Sequence, residues 1–259
     1  MTTLLVVLLC LCASLFPTLS TAKQSPVHPV GSGAEIDLEN DPVSADIRAH
    51  WMRRAISTLS DLQSTCPFAP FGAVIVNHTV TEPGEGELVC IGVNAVQMDG
   101  NPTLHGEVAA INNCTSILTD PAGKYQLSGP DALKAFSDLS LYTTAEACPM
   151  CSSAILYGAF REYIYSTPIH GPNSLLAHGW PQIDLPSKEI FARSLGREVR
   201  TRIVPQVLAN ETEGLFVWQF GDGACPASCV KEQDERGWCV EGEKQEVPTG
   251  KKASPGREL

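Results

Sequence analysis

Two short stretches carry the residue types that a hydrolytic metal centre needs: His105-Gly106-Glu107 and Cys148-Pro149-Met150-Cys151. Alone, an HxE triplet is ordinary helix surface, and a CxxC pair serves equally as a disulfide or a redox couple. Together they offer one imidazole, two thiolates and a carboxylate that need not touch a metal. Three N/S ligands, with a fourth position left to water, make up a catalytic zinc site. In that chemistry His105, Cys148 and Cys151 hold the ion, the ion acidifies its water, and Glu107 moves the proton. Pro149 suits the first position of a helix. That places both sulfurs at the positive helix end, where thiolate is favoured over thiol.

These residues need strands and helices in alternation to position them. Helical spacing of Ile47, Trp51, Ala55, Leu59 and Leu62 predicts a first helix, opening near Asp41-Pro42 or Ser44. Phe71–Val76 and Leu88–Val96 read as strands on either side of the turn-rich TVTEPGEGE. Asn101-Pro102 reads as a helix start, carrying His105 and Glu107 through to about Ile117. A Gly/Pro-punctuated loop then leads to strand Leu139–Thr144, a helix from Cys148 to Phe160, and strand Glu162–Tyr165. Val199–Val204 is expected as a fifth strand and Val207–Phe216 as a last helix. The alternation predicts an α/β sandwich with helices covering a sheet.

Of 259 residues, 43% are hydrophobic, enough for a folded core, and the net charge is −11. Such a surface repels phosphate backbones, which argues against nucleic acid and for a small-molecule partner. Leu4–Phe16 is an apolar run too short to span a bilayer, followed by the small residues Ser20-Thr21-Ala22. Residues 1–22 therefore read as a signal peptide, 23–40 as a polar, flexible leader, and the protein as secreted, with no membrane segment after cleavage. Eight cysteines remain beyond the signal, an even number suited to an oxidising compartment. Six lie outside the metal-type pair: Cys66, Cys90, Cys114, Cys225, Cys229 and Cys239. They read as three disulfides, with 15 connectivities open. Asn77, Asn113 and Asn210 each begin a glycosylation sequon. Residues 221–259 read as a crosslinked tail, disordered from about 240.

The motifs resemble those of the zinc-dependent cytidine/deoxycytidylate deaminase superfamily, whose signature is H-x-E…P-C-x-x-C. Its guanine and tRNA adenosine deaminase branch is matched most fully. His50-Trp-Met-Arg-Arg-Ala55 resembles the first helix there, Pro70–Val76 the first strand, and Gly92-Val-Asn94 its G-x-N. Asn101-Pro-Thr-Leu-His-Gly-Glu107 is similar to D-P-T-A-H-A-E, and Leu141–Glu146 to L-Y-T-x-x-E. Val207–Thr212 resembles the last helix, so the likeness runs from about residue 50 to 220. Ala147 stands where the family has Pro, and Gly106 where it has Ala. From 165 to 197 the resemblance is poor; His170, His178 and Trp180 there read as packing or surface residues.

The resemblance implies a three-layer α/β/α sandwich with a mixed five-stranded sheet over residues 41–220, a bound zinc, and a homodimer. It implies hydrolysis of an exocyclic amino group on a nucleobase or nucleoside, a purine such as guanine first. By resemblance Asn94 hydrogen-bonds the base, and Phe71 and Ala73 lie along its face; Asn94 equally suits a strand-end turn. A tRNA substrate would want a basic tail, whereas residues 222–259 carry six basic and eight acidic side chains. Adenosine in tRNA and cytidine or cytosine are the other enzymatic readings. A secreted zinc scaffold without turnover is the non-enzymatic one.

Overall fold

The computed structural model describes residues 43–80, 85–194, 201–232 and 238–242, all within the larger of two units, Ile36–Leu259. The signal and leader readings, and the tail beyond 242, lie outside the described residues. Helix α1 (Ala45–Leu62) starts at Ser44, whose hydroxyl accepts from the Ile47 N–H at 3.3 Å. Strands β1 (Gly72–Asn77), β2 (Glu87–Val93), β3 (Leu139–Ala145), β4 (Glu162–Thr167) and β5 (Arg202–Val204) form one sheet in the order β2-β1-β3-β4-β5. β1 is antiparallel to both its neighbours, while β3, β4 and β5 run parallel. This is the expected mixed, five-stranded α/β architecture.

Period-two alternation sorts side chains to the two faces. Val74, Val76, Tyr142 and Ile164 pack under Trp51, Met52 and Ala55 of α1. Ala73, Ile75, Leu141 and Tyr163 face the other way, against α3 (Gly106–Thr119) and α5 (Pro149–Gly158). Across the α1 face lies a buried charge cluster that hydrophobic patterning does not reveal. Glu162 accepts from Arg48 Nη2 at 3.0 Å, Arg202 Nε at 2.9 Å and Ser140 Oγ at 2.9 Å. Burial pushes this carboxyl up, and the two guanidiniums outweigh it, leaving Glu162 below the ordinary range.

Several boundaries differ from expectation, each for a local reason. β2 stops at Val93 because Asn94 Oδ1 accepts from the Val96 N–H at 3.3 Å, turning the chain into a one-turn helix α2 (Val96–Asp99). Asn101 does not open a helix. Its Oδ1 folds back onto the Thr103 N–H and hydroxyl at 3.0 and 2.8 Å, and α3 begins only at Gly106. The stretch read as loop holds α4 (Gly129–Ala135), capped by Ser128 with Pro130 in its first turn, so Gly and Pro there mark a helix start. Residues 165–197 contain α6 (Ser187–Ala192). The last helix is short, α7 (Ala209–Thr212) followed by a 3-10 turn, because Leu208 takes a left-handed conformation at φ 56°. Of the fifth strand, Val199 lies outside the described residues.

The six cysteines pair as Cys66–Cys229, Cys90–Cys114 and Cys225–Cys239, with Cα separations of 5.8, 5.1 and 5.6 Å. The second joins β2 to α3. The other two tie a small hairpin, β6 (Cys229–Lys231) and β7 (Cys239–Glu241), together and to the body. No described helix is long and apolar enough to cross a membrane.

Gly92 sets how closely α3 lies on β2. A Cβ there would come within 2.2 Å of the Ala110 nitrogen and 2.7 Å of the Gly106 oxygen, both backbone atoms. Gly92→Ala is expected to cost about 1–3 kcal/mol of stability, as overpacking does. Denaturant unfolding would read this as a lower midpoint at unchanged slope. An unchanged midpoint would refute the close-packing account.

Candidate active site

His105 and Cys148 hold equivalent places. Each is the extended N-cap residue of its helix, His105 of α3 at φ −70°, ψ 164° and Cys148 of α5 at φ −60°, ψ 168°. Neither side chain caps its own helix, so both are free to point at each other. The Cys148 sulfur lies 3.6 Å from His105 Nδ1, and Cys151, one turn into α5, completes a group whose ligand atoms all fall within 4.8 Å of one another. Zinc bonds of about 2.3 Å to sulfur and 2.0–2.1 Å to nitrogen, at tetrahedral angles, require an S···N edge of roughly 3.5 Å. The donor set and its spacing therefore fit zinc.

The thiols behave as a pair sharing one proton. A hydrogen bond from Cys151, opposed by burial and aided by His105, pulls Cys148 down to about 4. The hydrogen bond to Cys148, with burial and the negative groups around it, pushes Cys151 up. His105 is raised by its hydrogen bond to Cys148. Glu107, in the first turn of α3, is 3% exposed and accepts from the Thr143 hydroxyl at 3.2 Å. Burial, and then the charge on Cys148, raise its carboxyl towards the protonated form.

Residues 46–167 match the family model of the cytidine and deoxycytidylate deaminase zinc-binding region. That match takes in just under half of the chain. Over 116 residues, 45% of this chain, it is 32% identical to guanine deaminase of Bacillus subtilis, spanning 62% of that protein. Over 101 residues, 38% of the chain, it is 29% identical to the chloroplastic tRNA(adenine(34)) deaminase of Arabidopsis thaliana, spanning 6% of it. The chain thus spans under two thirds of these relatives. Among solved structures, guanine deaminase from Nitrosomonas europaea overlays at a TM-score of 0.42 and 15% identity, covering 65% of this chain and 81% of that one.

Both departures from the pattern that the sequence resembles have local causes. Ala147 keeps a backbone N–H that a Pro would lack, and donates it to the Tyr163 hydroxyl at 2.6 Å. Gly106 lies against the chain entering β1, where a Cβ would come within 2.4 Å of the Phe71 oxygen.

A cavity of about 240 Å³ opens over His105, Glu107 and Cys148. Phe71 and Asn94 are among the residues that line it. Asn94 is also the strand-end turn residue, its Oδ1 accepting from the Val96 N–H. Ala73 is fully buried in the core beneath α3 and α5 and is not among the residues that line the cavity. Trp180, read from sequence as packing, lines the cavity together with Gln182. Its indole N–H is spent on the Phe216 carbonyl at 2.8 Å, so the ring offers only carbon to the cavity. Glu146 fastens this divergent stretch to the domain: its carboxylate accepts from the N–H groups of Ile169 and Ser187 at 2.9 and 2.8 Å. By contrast His170 pairs with Asp184 and His178 lies 3.4 Å from Glu213.

Protein purified without chelator is expected to hold about one zinc per chain, as a three-ligand site predicts. His105→Ala and Cys148→Ser should each lose most of it by elemental analysis. A zinc-free wild type would remove the metal assignment.

Proposed function

We propose that this protein is a secreted, zinc-dependent hydrolase that removes the exocyclic amino group from a free nucleobase or nucleoside, with guanine the leading candidate. The observation that carries the reading is Glu107: a buried carboxylate, raised towards the neutral form, on the wall of the same cavity as His105 and Cys148. Zinc held by His105, Cys148 and Cys151 would supply Lewis acidity to an attacking water. Glu107 takes one proton from the water and delivers it to the ring nitrogen. It then takes the second proton from the same oxygen and delivers it to the departing amine, which leaves as ammonia. A carboxyl poised between its two forms suits both halves of that shuttle. Thr143, donating to Oε1, keeps the carboxylate aimed while it cycles.

The cavity's character supports a neutral heterocycle. Phe68, Phe71 and Trp180 supply aromatic walls, and Asn94, Gln97 and Gln182 supply amides able to read a base edge. None of the lining residues is Lys or Arg, so a phosphate would find no counter-charge there. With the net charge of −11, this weighs against polymeric RNA as substrate. Resemblance to guanine deaminase supports guanine as the first base to try. Secretion is proposed on the apolar leader and on six cysteines pairing in an enzyme-like fold.

Glu107→Gln keeps shape but cannot accept the proton. Deamination should fall by at least the ~10²–10⁴-fold typical of losing a general acid–base group, with zinc content unchanged. Ammonia release from guanine, then adenosine and cytidine, measures it. If Glu107→Gln lost zinc as His105→Ala does, the carboxylate would be a ligand or prop. If the wild type were inert on every base and nucleoside, the reading would give way to a zinc scaffold without turnover.

A further inference from the structure

Phe68 lines the cavity, yet it belongs to no helix or strand. Its surroundings come from the C-terminal part of the chain. The Trp238 ring lies 4.7 Å away at an interplanar angle of 37°, and Trp218 and Phe220 meet it edge-on at 5.8 Å. Gln219 Nε2 donates to the Phe68 carbonyl at 3.1 Å. Just upstream, Glu241 Oε1 accepts from the Ser64 hydroxyl and the Thr65 N–H, each at 2.9 Å. Ser228 donates to the Thr65 carbonyl at 3.3 Å, and Cys66 is bonded to Cys229. A crosslinked tail would need none of these contacts simply to be crosslinked. All of them converge on residues 64–68.

We propose that the disulfide-clamped hairpin is a working part of the active site, and that Trp238 is a positioning residue holding Phe68 as a wall against which the substrate ring lies. The inference rests on the nucleobase reading above. A phenyl ring on an irregular segment must be ordered each time substrate binds unless something orders it beforehand. Trp238 does this from behind, while Cys225–Cys239 and Cys66–Cys229 fix the hairpin that carries it. Trp238 acts through Phe68 and takes no part in proton transfer. Its loss should weaken binding and spare chemistry.

The test is Trp238→Ala in the full chain with all three disulfides intact, assayed on guanine beside Trp238→Phe. Expected is a KM raised about tenfold, kcat within about threefold of wild type and zinc unchanged, the split that marks lost binding. Trp238→Phe should recover most of the KM. Backbone hydrogen exchange at residues 64–71 should rise in Trp238→Ala, and this readout needs no substrate. An unchanged KM, or a kcat loss equal to the gain in KM, would overturn the proposal. A wild type that turns over no base would defeat the deaminase reading. Exchange would then decide the buttress alone: unchanged protection at 64–71 overturns it, and raised protection loss upholds it. If Trp238→Ala fails to fold, Trp238→Leu carries the test: a rise in exchange at 64–71 upholds the buttress, and unchanged protection overturns it.

Discussion

Two helix starts meeting nose to nose are the constraint on which the rest of this molecule depends. His105 and Cys148 each sit at the junction where extended chain becomes helix. That position gives a side chain an outward, non-helical trajectory, and points the unpaired N–H groups and positive dipole end of the helix at whatever it holds. Thiolates and a carboxylate are therefore gathered where two dipoles favour negative charge. A capping Ser or Asp at either place would satisfy its own helix and leave nothing to converge. Close packing of α3 on β2 and of Gly106 on Phe71 then sets the distance between the noses.

The reacting core was legible because its signals are local. His105, Glu107, Cys148 and Cys151 are recognisable by type and spacing, and the alternation of Val74 and Val76 against Ala73 and Ile75 marks a strand covered on both faces. The boundaries were less legible, since the same residue types have two uses. Asn101 reads as a cap and acts as an Asx turn, and Pro130 reads as a breaker and starts a helix. Long-range pairing left no local trace at all. Nothing near Arg48 says that it is buried on a glutamate 114 residues away, and nothing near Trp180 says that it reaches the cavity.

The divergent stretch shows how a site can acquire a new wall without disturbing its chemistry. Glu146 follows β3 and precedes the cysteines, so its place is set by β3 and by α5. By accepting from Ile169 and Ser187 it pins both flanks of the segment between them. What lies between, including Trp180 and Gln182, is thereby held at the cavity. Aromatic packing of Trp180 on Phe71 and Phe216 closes the arrangement. Shape is thus carried by the segment, and reactivity by the helix starts.

The bond between Cys66 and Cys229 also decides what a cut in this chain means. It closes a ring of covalent structure spanning 163 positions, and every residue assigned to the metal and proton chemistry lies inside it. A single break in the backbone anywhere between those cysteines, including the exposed turns between α3 and α4, opens the ring without dividing the molecule. Both halves of the centre, one bearing His105 and Glu107 and the other Cys148 and Cys151, stay on one covalent body. A copy nicked there keeps its two parts joined until that bond is reduced.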